Sequence, residues 1–226
     1  TRFLPAMVHV RHLLENGEIG DVRMVQADFG FRTDIDPANR LFAPELAGGA
    51  LLDLGVYPLN LAFMVCGEPV EIHSMANMGS TGVDEESAIM LRHHGGQISL
   101  LACALRVETP GEAHILGTKG RAFMPNRCRI EGETSWRYRD SNKESMYDVE
   151  HKELFAAIRE GKPINNGDYM FTSTMLAILA QMVCYTGQEI TWERALESTH
   201  SFDLPEYRFD AEPPIRPGPD GTAGTI

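Results

Sequence analysis

Basic residues are scarce in this chain: 20 Lys and Arg stand against 32 Asp and Glu, giving a net charge of −12 over 226 residues. A nucleic-acid backbone is neutralised by clustered cations, so nucleic acid is excluded as a partner. The same deficit disfavours an anionic membrane surface. Long apolar runs are also missing. The nearest, Leu51 to Cys66, is interrupted by Asp53 and Asn60, whereas a bilayer span needs roughly 18–20 apolar residues. Cysteine is sparse, and Cys66, Cys103, Cys128 and Cys184 share no CxxC spacing. That argues against a zinc centre or a disulfide framework and for free thiols in a reducing, cytoplasmic compartment. No HExxH motif or carboxylate cluster is present, so a metal hydrolase finds no support and no metal site is expected. His93-His94 sit beside Gly95-Gly96 and have no third ligand at matching spacing; they read as solvated turn residues. The chain opens at Thr1 without a methionine, a charged n-region or an apolar h-region. Residue 1 is therefore not expected to be the natural start, and a targeting signal would not be visible here.

What is present is ordinary globular material, 43% hydrophobic, suited to a small uncharged ligand. Residues 5–15 place Met7, Val10, Leu13 and Leu14 at helical spacing, ended by Asn16-Gly17. A Val- and Phe-rich strand is predicted over 21–31, then an irregular loop punctuated by Pro37, Pro44, Gly48 and Gly49. An apolar helix follows over 50–66. Strands are predicted over 70–78, 84–94, 97–108, 112–117 and 120–131, with glycine turns between them. Their close spacing favours antiparallel pairing over strand–helix–strand units. Helices are predicted over 147–160, 168–186 (Asp168 as cap) and 191–198 (Thr191 as cap). The result is an α+β fold: an open, largely antiparallel multistranded sheet with helices packed on one face. It occupies 1–203, and a Pro-rich extended tail occupies 204–226. Such a sheet leaves one broad face in need of cover, with Ile89, Leu91, Ile98 and Leu100 as candidates for it.

One constellation carries chemistry. Helix 50–66 is apolar nearly all round, as buried helices are. Its polar members Asp53, Tyr57 and Asn60 fall at i, i+4 and i+7, within one stripe about 60° wide. Two readings are open: a hydrogen-bond network joining helix to sheet, or one wall of a substrate pocket. Gly48-Gly49 directly before the helix would let a ligand approach free backbone N–H groups, and Arg40 could reach a phosphate or a sugar hydroxyl. The bland alternatives are a tight turn and a surface salt bridge.

Residues 40–60, RLFAPELAGGALLDLGVYPLN, resemble the GGxLLDxGxY signature of the Gfo/Idh/MocA oxidoreductases. TRFLPAM and GEIGDVRMVQADFGF also resemble the start of that family's C-terminal domain, and the similarity runs to about Ser198. The first half, to about Gly120, looks like the dihydrodiol dehydrogenase and glucose–fructose oxidoreductase branches. The stretches VEHKELFAAIREGKPINNGDYM and YTGQEITWERALES look more like an inositol-dehydrogenase-like branch.

The resemblance implies a substrate-binding domain that works beside an N-terminal Rossmann domain holding NAD or NADP. This sequence contains no GxGxxG strand–turn–helix and no Glu-Lys-Pro motif, and Ala47 stands where many members have a third glycine. By the same resemblance Tyr57 would be the acid/base, Asp53 its substrate-orienting partner, and Gly48 and Gly49 would lie against the cofactor. Arg40 and Asn60 would contact the substrate, a sugar or polyol, and His151 and Asn166 are further candidates, for which the commoner readings are a helix-surface histidine and a capped inter-helix turn. The family also implies a homo-oligomer through the sheet face. The expected activity is oxidation at a CH–OH group, absent from this chain alone. The competing reading is a non-catalytic module for carbohydrate binding or self-association.

Overall fold

A computed structural model describes residues 5–124, 129–131, 136–137, 145–199 and 208. The expected tail over 204–226 lies outside the described residues, Arg208 excepted. Helix α1 (Pro5–Glu15) leads into strand β1 (Val22–Gly30). A loop with a single 3₁₀ turn (Pro44–Leu46) reaches a π-helical turn, Leu51–Gly55, which runs directly into α2 (Val56–Cys66). Strands β2 (Pro69–Met78), β3 (Asp84–His93), β4 (Ile98–Ala104), β5 (Ala113–Gly117) and β6 (Arg121–Met124) follow. Two short strands, β7 (Arg129–Glu131) and β8 (Trp136–Arg137), complete the sheet. Helices α3 (Met146–Arg159), α4 (Gly167–Thr186) and α5 (Trp192–Leu196) close the described chain.

The strand order is β2-β3-β4-β1-β5-β6-β7-β8. Every neighbouring pair is antiparallel except β1 and β4, which run parallel with Met24 opposite Ile98. A parallel neighbour requires a long crossover, and the loop with α2 provides the first part of it. The α+β expectation therefore holds, with one parallel seam that hairpin spacing did not show. The predicted strand 120–131 is two strands, β6 and β7, paired antiparallel.

The core lies between the sheet and α2 with α4. Val25, Leu101, Cys103, Ile89 and Leu91 point from the strands toward Leu51, Leu54, Leu59, Ala62, Ala177 and Ala180. Full burial of one such Leu or Ile stabilises by about 1.5–3 kcal/mol. Strand parity then fixes the other face. Ile89 and Leu91 are buried at 1% and 2% exposure, so they do not furnish the open surface expected of them. That surface instead carries Met90 at 51% and Leu100 at 36%, directly paired across β3 and β4, with Met75 at 73%. Ile98, opposite Arg92 and Met24, shares it.

By length and hydropathy, Pro44–Cys66 (23 residues) and Gly167–Thr186 (20 residues) both reach what a bilayer crossing requires, contrary to the expectation from apolar runs. In the fold, both pack into the core just described.

Candidate active site

The π-helical turn spreads five residues over the entry to α2, where the sequence predicted regular α-helix. Such turns are rare and recur at functional sites. Asp53 lies within it and Tyr57 just after it. The three polar residues of the predicted stripe find three different neighbours. The Arg40 guanidinium donates to the Asp53 carboxylate across the loop. The Tyr57 ring, 45% exposed, meets Phe29 at the end of β1 edge-on, with centroids 5.2 Å apart. Asn60 accepts from the Tyr169 hydroxyl of α4, through its side-chain oxygen at 3.0 Å and its carbonyl at 3.3 Å. Tyr169 also stacks at a tilt against Phe63, 4.9 Å away.

Asp53 and Tyr57 are thus on the accessible side of the helix, while Asn60 is tied to α4. Arg40 is 65% exposed at its side chain and engaged with a carboxylate; the surface salt bridge is realised. The remaining predicted contacts lie on other elements. His151 Nδ1 bonds the Tyr147 carbonyl of its own helix at 2.6 Å, and the residue is exposed. Asn166 is the N-cap residue of α4, and its carbonyl accepts from Met170 N–H at 2.8 Å. The predicted cap, Asp168, is displaced into the first turn because the helix starts at Gly167, whose N–H donates to Asn165 Oδ1 at 3.0 Å. Thr191 does cap α5, accepting from Arg194 N–H at 3.3 Å.

The glycine pair needs correcting. Its amides are not free: Gly48 N–H donates to the Ala43 carbonyl at 3.0 Å and Gly49 N–H to the Leu41 carbonyl at 2.9 Å. A Cβ on Gly48 would press on the carbonyls of Arg40, Leu41 and Ala43 at 2.8–2.9 Å. Gly49 has φ +117°, and its added Cβ would fall on Asp84 Oδ1. Both glycines therefore have a packing reason, and the free N–H groups expected to approach a ligand are absent.

Sequence reasoning missed Asp84 altogether. It begins β3, is fully buried, and its carboxylate collects three donors. Leu51 N–H reaches Oδ2 at 2.8 Å, Ser87 Oγ reaches the same oxygen at 2.6 Å, and Tyr185 OH from α4 reaches Oδ1 at 2.8 Å. Asp84 N–H donates back to the Tyr185 oxygen at 2.9 Å. Burial first, and then the Asp84 charge, push the Tyr185 phenol well above its usual range. Asp84 opens a run of three acids, Asp84-Glu85-Glu86, at the start of an otherwise apolar strand, and the sequence does not single out which of them is buried.

His93 is also placed differently from expectation. It is buried at 1% exposure, with Nδ1 2.9 Å from the Gly67 carbonyl and Nε2 2.8 Å from Ser99 Oγ. Burial pushes its pKa below the ordinary value. Cys66, Cys103 and Cys184 are free. Burial raises all three thiols, Cys66 to about 11, so none is an activated nucleophile. Among the described residues no three His, Cys, Asp or Glu side chains gather as a metal site.

A broad groove runs along the open sheet face beside α4 and α5, lined by Met75, Met90, Leu100, Phe171 and Trp192 among others. It touches neither Asp53 nor Tyr57. Asp53, 21% exposed at its side chain, and Tyr57, 45% exposed, are both reachable from solvent.

Comparison with known proteins agrees with this architecture. The family model of the GFO/IDH/MocA C-terminal domain matches residues 7–123. The trans-1,2-dihydrobenzene-1,2-diol dehydrogenase of Mus musculus is 35% identical over 140 residues, 59% of this chain and 41% of the mouse protein. The chain thus spans less than half the length of that relative. Aldose–aldose oxidoreductase from Caulobacter crescentus, solved with glycerol, superposes with a TM-score of 0.71 at 22% identity, over 83% of this chain and 60% of that one. A levoglucosan dehydrogenase solved with NADH and levoglucosan gives a TM-score of 0.69 at 17% identity, over 82% and 62%. At these identities the two structures speak for the fold.

Proposed function

The chain belongs to the GFO/IDH/MocA C-terminal domain family, and from that premise we propose that it is the substrate-side half of a nicotinamide-dependent oxidoreductase. The reaction is hydride transfer between NAD or NADP and a secondary alcohol of a sugar, cyclitol or dihydrodiol. The observation that carries this reading is the half-exposed Tyr57 phenol, presented at the surface four residues past the partly exposed Asp53. A surface of that kind suits a site completed by a second domain. The curated dihydrodiol dehydrogenase relative favours the same chemistry.

Gly48 and Gly49 do not fit a dinucleotide. Its phosphates need free amides, and those of Gly48 and Gly49 are bound to loop carbonyls. The cofactor is therefore assigned to a separate dinucleotide-binding domain, and this chain without that domain is inactive. Tyr57 Oη takes the alcohol proton in oxidation and returns it in reduction. A nearby cation favours the phenolate form that a base requires. Arg40 already serves the Asp53 carboxylate, so that cation comes from the companion domain. Asp53, held by Arg40, orients the substrate hydroxyl. Asn60, His151 and Asn166 are secondary candidates for substrate contact.

The open sheet face supports a homo-oligomer, since Met75, Met90 and Leu100 leave apolar surface on adjacent strands. Met90→Glu should shift the full-length protein toward smaller species in light scattering, and an unchanged mass would remove the sheet face as the interface. For the activity, the full-length protein is incubated with NAD⁺ or NADP⁺ and representative aldoses, cyclitols and dihydrodiols. Reduction of the nicotinamide with one of these classes is expected. Failure with all three, despite measured cofactor binding, would favour the non-catalytic module.

A further inference from the structure

The polar cluster around Asp84 lies at the entry of the helix that carries the candidate site, and nothing in the reaction uses it. Four segments distant in sequence meet there. The loop brings Gly49, the π-helical turn brings Leu51 N–H, β3 brings Asp84 and Ser87, and α4 brings Tyr185. Helix N-termini leave their first N–H groups without intrahelical partners, and a side chain from the first turn or the residue before it commonly caps them. Here the residues flanking Leu51–Gly55 supply no side-chain cap. The Leu51 amide is satisfied from 33 residues away by the fully buried Asp84 carboxylate. That carboxylate is itself held by Tyr185, whose hydroxyl donates to Oδ1 and accepts from the Asp84 N–H.

We propose that Asp84 and Tyr185 are positioning residues that cap this helix from the sheet and from α4, and so fix where Asp53 and Tyr57 stand. The proposal rests on the catalytic reading of Tyr57. Asp53 lies two residues past the capped amide and Tyr57 six. A π-helical turn is a less regular path than an α-helix, so the placement of both side chains depends on where its first residue is anchored. The geometry leaves no slack, because a methyl group on Gly49 would occupy the space of Asp84 Oδ1. Three donors on two oxygens also require a carboxylate. An asparagine could keep Leu51 and Ser87 on its one oxygen but would turn an N–H toward Tyr185.

The test uses the full-length protein with Tyr185→Phe, Asp84→Asn, Asp84→Ala and, as a control, Tyr57→Phe. Three quantities are measured: steady-state kinetics, nicotinamide cofactor affinity, and hydrogen exchange of peptides covering 50–57 and the β1–β4 seam. Tyr185→Phe and Asp84→Asn should lower kcat at least tenfold, with KM changed less than threefold and cofactor affinity unchanged. Exchange over 50–57 should accelerate while the seam stays protected. Asp84→Ala should exceed both; if it does not fold, Tyr185→Phe decides. The inference is overturned if Tyr185→Phe and Asp84→Asn fold and keep kcat within twofold. It is equally overturned if exchange rises evenly across helix and seam, which marks a merely structural residue. Should Tyr57→Phe itself retain turnover, the catalytic reading fails, and the local exchange pattern still decides whether Asp84 fixes the helix.

Discussion

Two polar clusters share the front of one apolar helix, and they are finished in opposite ways. Around Asp84 the fully buried carboxylate is joined to the Leu51 amide, the buried Ser87 hydroxyl and the hydroxyl of Tyr185, a residue itself 38% exposed. Around Asp53 and Tyr57 the helix offers an acid held by one exposed arginine and a phenol touching one ring edge. Buried polar groups must be satisfied, whereas a group meant to meet a substrate must be left reachable. The difference teaches which residues of the GGALLDLGVY segment hold the fold and which face outward. Gly48 and Gly49 belong to the closed cluster and its loop; Asp53 and Tyr57 belong to the open one.

The comparison breaks hardest at Gly49. Gly49→Ala forces a side chain into a positive-φ position and onto Asp84. It should destabilise by roughly 2–4 kcal/mol in denaturant unfolding, combining backbone strain with a disrupted carboxylate. A loss below about 0.5 kcal/mol would mean the loop relaxes freely, against the tight packing described. Next comes Asp84→Ala, which strands the Leu51 amide and two hydroxyls and should cost about 2–3 kcal/mol. A third effect tests burial at the far end of the helix, where His93 bonds the Gly67 carbonyl. Its folded pKa is depressed, so the unfolded state binds the proton more readily. Stability is full above the unfolded value of about 6.5 and declines as pH falls below it toward the folded pKa. His93→Gln should flatten that part of the stability–pH curve. The smallest effect belongs to the open cluster. Arg40→Ala removes a largely exposed ion pair and should change stability by about 0–1 kcal/mol, less at high salt.

Most of the fold was legible because its signals are local. The 3.6-residue periodicity of Met7, Val10 and Leu14 marked α1, and Gly161 and Gly187 marked the ends of α3 and α4, where both adopt positive φ. Non-local choices were not legible. The parallel seam between β1 and β4 depends on which strands meet after a long crossover, and the face taken by Ile89 depends on one residue of register. At the site, the residue types stood out but their partners did not. Asp53, Tyr57 and Asn60 look like one stripe at 100° per residue; the π-helical turn and the pull of Arg40, Phe29 and Tyr169 send them to separate neighbours. Asp84 escaped notice because it opens the acidic run Asp84-Glu85-Glu86, which resembles a solvated strand end until its three donors are seen. His93 escaped for the same reason, hidden beside an exposed twin in a turn-like sequence.

The contrast between the two clusters is tested most directly by Tyr57→Phe in the full-length protein, with unfolding and turnover followed on the same sample. The phenol is half exposed, so stability should move by less than about 0.5 kcal/mol. Removal of a general acid/base should lower kcat by roughly 10²–10⁴-fold. A variant that keeps most of its turnover would contradict the account, whatever its stability.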